Sequence, residues 1–231
     1  MPLSLIAQDK LKTKKINSKT ELFKTTCEVL KADNTTKHGA YERAVDKKQP
    51  LVQGQYERGK RAGLWNYYDY EGNLIQQYNH TTKELLFHIA TDLNNNKAFR
   101  VKTDSFNITT KLERVVLPIG GYSGLNTYFY YQLRYPPNSY QNNVEGDVVV
   151  SFMVNTDGST SNFNIKQSLD PSCEREAIRL LKNYKEGWIP AMYKGQEVPA
   201  EIQVTIKFLT NFKQLHPNIF KIEASTEISK E

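Results

Sequence analysis

The sequence predicts an α+β protein in two parts. An N-terminal antiparallel β-meander sheet of short hairpins comes first. A small two-layer α+β domain follows, with a three-stranded antiparallel sheet and two helices. Three observations carry this reading. The 231 residues include 14 Tyr and 10 Phe, rings that pack on half-exposed sheet faces. Between Gly39 and Gly72, glycines alternate with short aromatic runs. From Gly146 to Phe208 the chain reads as strand, Asp157-Gly158 turn, strand, helix and a last strand of unbroken alternation.

Bulk composition narrows the function classes. Hydrophobic residues make up 39% and charged residues 24% of the chain, a globular balance. The net charge is +6. Much of the excess lies in Lys10, Lys12, Lys14, Lys15 and Lys19, opposed there only by Asp9. This is a solvated basic lead-in without the regular Arg stripe of a nucleic-acid binder, so no nucleic-acid partner is expected. No apolar run is long enough to span a bilayer, so no integral membrane segment is expected in the chain. Met1–Ala7 is apolar and small, then turns polar at Gln8. This reads as the tail of a secretory signal peptide cleaved after Ala7, with an ordinary frayed terminus as the alternative. Export to the periplasm or cell envelope is the matching expectation. Cys27 and Cys173 lie far apart in sequence, and each is expected to pack as a small buried hydrophobe rather than to form a bridge.

Residues 1–20 are set aside as this lead-in, and a first domain spans 21–118. Glu21 to Leu30 reads as a strand. Lys37-His38-Gly39-Ala40-Tyr41 then matches Arg61-Ala62-Gly63-Leu64-Trp65 at a shared spacing of 24 residues (39 to 63, and 41 to 65). An internal period of that size marks stacked supersecondary units. Glu71-Gly72-Asn73 is a hairpin turn between Trp65–Tyr70 and Leu74–Tyr78. From Gly54 to Leu74 the pattern Gly-x-Tyr-x-x-Gly-Lys-x-x-Gly-x-Trp-x-x-Tyr-Asp-x-x-Gly-x-Leu resembles a bacterial MORN-type repeat, over about residues 22–85. The resemblance implies meandering hairpins in one curved sheet and no chemistry. Leu85–Ala90, Phe99–Thr103 and Ile108–Leu117 are expected to extend that sheet.

At Pro118-Ile119-Gly120-Gly121 the character changes, and a second domain is placed at 119–209. The Gly-rich stretch to Gly124 reads as a hinge between domains, with Ser123 capping the helix that follows. Leu125, Tyr128, Phe129 and Leu133 form one helix face, and Pro136-Pro137 stop it. Asp147–Asn155 and Thr160–Gln167 are strands. Asp170-Pro171 starts a helix whose buried stripe is Cys173, Ala177, Leu180, Leu181 and Tyr184. In the last strand Ile202, Val204, Ile206 and Phe208 face one way, and Gln203, Thr205 and Lys207 the other. Residues 210–231 form a polar tail.

Tyr135-Pro136, Gly146, the strand Val148–Val154, Asp157-Gly158, Ala177, Trp188-x-Pro190-Ala191, Gly195 and the strand Ile202–Phe208 occur in an order that resembles the TonB-family C-terminal domain. The resemblance covers about residues 119–209. It implies a non-enzymatic periplasmic module that grips an extended, TonB-box-like peptide of an outer-membrane transport protein by adding it to a sheet edge. Carried over, the partner-binding residues are Glu201, Ile202, Gln203, Val204, Thr205, Ile206, Lys207 and Phe208, with Tyr135 and Pro136 beside them. Trp188, Pro190 and Ala191 are expected to be packing residues. The nine prolines are scattered rather than gathered in a spacer, so the expectation is binding without force transmission. An alternative makes the repeat sheet the working surface and the C-terminal domain a dimeriser or anchor, the partner then including a second copy in a homodimer.

No catalytic, cofactor or metal site is expected. His38, His80, His88 and His216 show no ligand spacing. There is no nucleophile elbow and no phosphate loop, and Asp69 with Glu71 reads as turn chemistry.

Overall fold

The computed structural model describes residues 10–17, 23–46, 49–89, 98–102 and 107–210. The proposed signal-peptide remnant and most of the polar tail lie outside them. The chain divides into two compact units, Met1–Ile89 and Ala90–Glu231.

The first unit is a seven-stranded antiparallel meander in strict sequence order. Its strands are β1 (Leu11–Asn17), β2 (Lys24–Leu30), β3 (Lys37–Asp46), β4 (Gln49–Glu57), β5 (Lys60–Tyr68), β6 (Leu74–Asn79) and β7 (Glu84–His88). The sequence period becomes a step of two strands. Gly39 on β3 and Gly63 on β5 both take positive φ, +95° and +60°. Each sits two residues ahead of an aromatic, and those aromatics, Tyr41 and Trp65, lie 5.3 Å apart. Trp65 is the hub of the unit and is fully buried. Tyr56 and His80 meet its ring edge-on at 5.2 Å and 5.4 Å, and the Arg61 guanidinium lies 4.6 Å from its centroid. Its Nε1 donates to the carbonyls of Gln55 and Ala62, both at 3.2 Å. Room for the indole comes from Gly54, where a Cβ would stand 2.2 Å from the ring. As read from the sequence, Asp69 serves the turn after β5, accepting from the Asn73 backbone N–H at 2.8 Å.

The second unit holds β8 (Phe99–Lys102), β9 (Asn107–Thr110), β10 (Leu117–Pro118), α1 (Gly121–Gln132), α2 (Pro137–Gln141), β11 (Gly146–Val154), β12 (Thr160–Gln167), α3 (Pro171–Lys182), β13 (Trp188–Ile189), β14 (Ala191–Tyr193), β15 (Gln196–Val198) and β16 (Ala200–Phe208). Its main sheet has the order β12-β11-β16-β8-β9. The ladder of β11 with β16 runs from Gly146↔Phe208 to Val154↔Ala200 without a break. Val148, Val150, Phe152 and Val154 on β11 and Val204, Ile206 and Phe208 on β16 are fully buried, together with Leu125 and Phe129 of α1 and Cys173, Ala177 and Leu180 of α3.

Four expectations are corrected here. The three strands read from the sequence are present, but β8 and β9 add to them, so the sheet has five. Those two strands were assigned to the repeat sheet; burial of Phe99 and Val101 and pairing at Ala200↔Val101 place them in the second unit. The boundary accordingly falls at 89/90 rather than 118/119. Gly120-Gly121 is a buried helix start inside the second unit rather than a hinge between domains: Gly120 caps α1 in a left-handed conformation, Ser123 makes no cap, and Tyr184 Oη donates to the Ile119 carbonyl at 2.6 Å. Cys27 and Cys173 are free and buried, and burial raises the Cys173 thiol pKa above its ordinary value.

Two outcomes are expected from this architecture. Gly54→Ala should destabilise the first unit by about 1–3 kcal/mol through overpacking against Trp65, read as a lower urea midpoint with Trp fluorescence. A fragment covering 90–231 should unfold at higher urea than one covering 111–231, which lacks β8 and β9 but keeps β10. The loss of Phe99 and Val101 sets the difference at roughly 3 kcal/mol or more. Equal midpoints would show that the hairpin contributes no stability.

Candidate functional site

β16 owes its strand character to strict alternation, which buries one row of side chains and leaves the other at a partly solvated face. Ala200, Ile202, Val204, Ile206 and Phe208 are buried, and Glu201, Gln203, Thr205 and Lys207 are half-exposed. One side of the strand is laddered along its length to β11. The other side is partnered by β8, in register at Ala200↔Val101. β8 begins at Phe99, which its antiparallel register sets opposite Ile202. Among the described residues no strand is laddered beyond that point against Val204–Phe208.

The strand that the sequence offered as a free edge is therefore internal at its start, where β8 pairs with it. Glu201 illustrates the covered part. Its carboxylate lies 3.6 Å from Arg100 on β8 and 3.8 Å from Lys166 on β12, so it is committed to ion pairs within its own sheet. Ile202 faces the core beside it. Val204, Thr205, Ile206, Lys207 and Phe208 lie beyond the described pairing with β8.

Tyr135 and Pro136 are brought to the far end of that strand. The Tyr135 ring meets Phe208 edge-on at 5.5 Å and 88°, and its hydroxyl donates to the Val144 carbonyl. Burial, assisted by Cys173, Glu145 and Tyr140, pushes the phenol up to about 12, so it remains a neutral donor at physiological pH. Pro136 caps α2, its carbonyl accepting from the Tyr140 N–H at 2.9 Å. Tyr140 then stands against Tyr135 at 5.5 Å and 75° with 52% of its surface exposed. Glu145 closes the same end by accepting from the backbone N–H of Thr210 at 2.6 Å and from its hydroxyl. Sequence reasoning missed Tyr140, Glu145 and Thr210. α2 is little more than one turn and has no periodicity to read, and the Glu145–Thr210 contact joins residues far apart in the chain.

α3 holds this corner in place. Asp170 caps it, accepting from Ser172 N–H at 2.8 Å and Cys173 N–H at 3.3 Å, and it also accepts from Ser139 Oγ on α2 at 3.0 Å. Glu176 accepts from the Arg134 backbone N–H at 2.6 Å, the residue just before Tyr135. Arg179 holds that carboxylate through Nε and Nη2, at 2.6 Å and 2.7 Å. Trp188, Pro190 and Ala191 are buried, with Trp188 edge-on to Phe152 at 5.2 Å, which is a packing role. Among the described residues no group of three His, Cys, Asp or Glu side chains is placed to hold a metal ion.

Glu176→Ala should cost about 1–3 kcal/mol, because it strands the Arg134 N–H and leaves Arg179 with only the Gln132 carbonyl. Tyr135→Phe should cost about 1 kcal/mol, the net value of one hydrogen bond. Urea denaturation of the two variants checks the order, and a larger loss for Tyr135→Phe would contradict it.

Residues 131–210 match the family model described as the Gram-negative bacterial TonB protein C-terminal domain. That span takes in Tyr135, Pro136 and all of β16. Among solved structures, the solution structure of the Helicobacter pylori TonB C-terminal domain is similar at 20% identity, with 38% of this chain and 90% of that chain covered and a TM-score of 0.31. No curated protein matches the chain.

Proposed function

We propose that the second unit binds an extended segment of a partner protein as an added strand on β16, along Val204–Phe208. The observation that carries this reading is β16 itself, a strand fully paired to β11 on one side, with its inward side chains buried and, among the described residues, no strand laddered against Val204–Phe208 on the other. Such a strand is rigid before a partner arrives, so little ordering entropy is lost on its side. Backbone hydrogen bonds would supply affinity and the half-exposed row Thr205 and Lys207 selectivity. The Tyr135–Phe208 pair, with Tyr140 edge-on to Tyr135, forms an aromatic step at the strand's end.

The match of residues 131–210 to the TonB C-terminal family supports a protein-interaction role in the cell envelope. The finer reading is a periplasmic module that recognises a TonB-box-like peptide at the N-terminus of an outer-membrane transport protein and carries out no chemistry. The first unit would serve as a scaffold of MORN-type hairpins, a reading supported by the matched positions of Gly39 with Tyr41 and Gly63 with Trp65.

Calorimetric titration of the full chain with peptides from transporter N-termini should show saturable binding. The same peptides N-methylated at alternate backbone nitrogens should bind at least tenfold more weakly, because an added strand needs those donors. Amide shifts in an NMR titration should centre on Val204–Phe208. No heat and no shift at about 1 mM peptide, which corresponds to roughly 4 kcal/mol of binding, would overturn the proposal.

A further inference from the structure

Three turns of the meander lie at the same end of its strands: 31–36 between β2 and β3, 57–60 between β4 and β5, and 80–84 between β6 and β7. Successive turns are two strands apart, about 10 Å across the sheet. They carry Lys31, Arg58, Lys60 and Lys83, all exposed. Lys10, Lys12 and Lys14, also exposed, stand beside the first turn at the start of β1, where Lys14 Nζ donates to the Asn34 carbonyl at 3.5 Å. The acids of these turns are Asp33, Glu57 and Glu84. Two of them serve the turns themselves. Asp33 accepts from the Thr35 and Thr36 backbone N–H groups at 2.8 Å and 2.9 Å, and Glu84 from the Thr82 hydroxyl at 2.7 Å. At the opposite end of the strands the turn Asp69–Asn73 carries Asp69 and Glu71 and no cation.

The backbone supplies a second, independent sign. Arg58 and Lys83 hold φ of +45° and +60°, in the left-handed region that long side chains rarely take. Arg58-Gly59 is a two-residue hairpin with positive φ at both positions, for which Asn-Gly is the usual pair. The first turn meets the same demand with Asn34, at +56°. Glycine at 58 or 83 would adopt this backbone without the steric cost, so two of the three turns carry a long cation where the fold itself favours none. Local strain of this kind concentrates where a side chain has a task beyond the fold.

We propose that this end of the meander binds an anionic polysaccharide laid across the three turns. Charge complementarity selects the sign of the ligand, and the recurrence of cations from turn to turn suits a chain with repeated charges. Between the cations stand Asn34, Thr35, Thr81 and Thr82, all exposed, neutral polar groups that match sugar hydroxyls. The turns hold no Phe, Tyr or Trp on which bases could stack. Ala32 is their only aliphatic side chain, so a bilayer finds nothing there to take into its apolar layer. The ligand is held by several screened contacts and is therefore released by salt. This site is independent of peptide binding at β16.

Anisotropy titration of the full chain against a fluorescently labelled polyuronate, at about 50 mM salt where screening is weak, tests the inference. Saturable binding is expected, tighter than to single-stranded DNA or to vesicles of anionic lipid. The double variant Arg58→Gly, Lys83→Gly should lose about tenfold or more in affinity, while its urea midpoint holds or rises because the left-handed strain is relieved. Arg175→Gln with Lys185→Gln removes the same charge from exposed positions of the second unit and should bind like the wild type. The proposal is overturned by the absence of polyuronate binding, by tighter binding of DNA or vesicles, or by an equal loss in the two double variants. An unchanged affinity in the Arg58/Lys83 variant, or a loss that comes with a lower urea midpoint, overturns it as well.

Discussion

The pairing of β11 with β16 is the interaction on which the second unit depends. It is the longest uninterrupted ladder in that unit, running through the whole of both strands. The side chains it lines up on the inner face, Val148, Val150, Phe152 and Val154 opposite Ile206, Val204, Ile202 and Ala200, make the floor against which α1 and α3 pack. A slip of one residue would turn all of them toward the other face. The aromatic step of Tyr135 and Phe208, the Glu145–Thr210 contact and the seating of β8 all follow from that register. The proposed binding strand therefore belongs to a part of the molecule that has little freedom to vary.

What could be read from the sequence, and what could not, divides by the range of the signal. The alternation of β16 and the stripe of α3 are local patterns with periods of 2 and 3.6, so both were legible. Asp170-Pro171 identified a helix start because the cap and its targets are neighbours in sequence. The Gly39/Gly63 spacing was legible because a meander repeats itself. The assignment of β8 and β9 was not, because their place depends on a pairing between Val101 and Ala200, and nothing near residue 101 encodes it. The same limit applies at the site. Tyr135 and the strand were visible, whereas the partial cover by β8 and the ion pairs of Glu201 needed three strands in position. Gly120-Gly121 misled for a related reason: a glycine pair looks like a flexible joint until the left-handed cap and the Tyr184 hydrogen bond to Ile119 are seen.

The two units reach rigidity by different means. The second is an ordinary two-layer core of aliphatic strands under helices. The first is a sheet organised around a ring cluster, in which Trp65 is surrounded by Tyr41, Tyr56 and His80 and roofed by Arg61. Edge-to-face aromatic contacts and a cation over an indole each contribute beyond the area they bury, which suits a layer with no helix in it among the described residues. Its turns set its surface character, with cations gathered at one end of the strands.

The length of the proposed edge has a consequence for how much of a partner could be recognised there. Val204–Phe208 is five residues, about 17 Å of strand at 3.3–3.4 Å per residue. A segment that short offers few side chains for discrimination and few backbone hydrogen bonds, each worth only about 1 kcal/mol net. Selectivity in such a system resides less in the motif than in its delivery. A motif tethered at the right distance experiences an effective concentration in the millimolar range, enough to occupy a site too weak to retain the same peptide free in solution. A site of the proposed length would thus act as a reader of proximity more than as a reader of sequence.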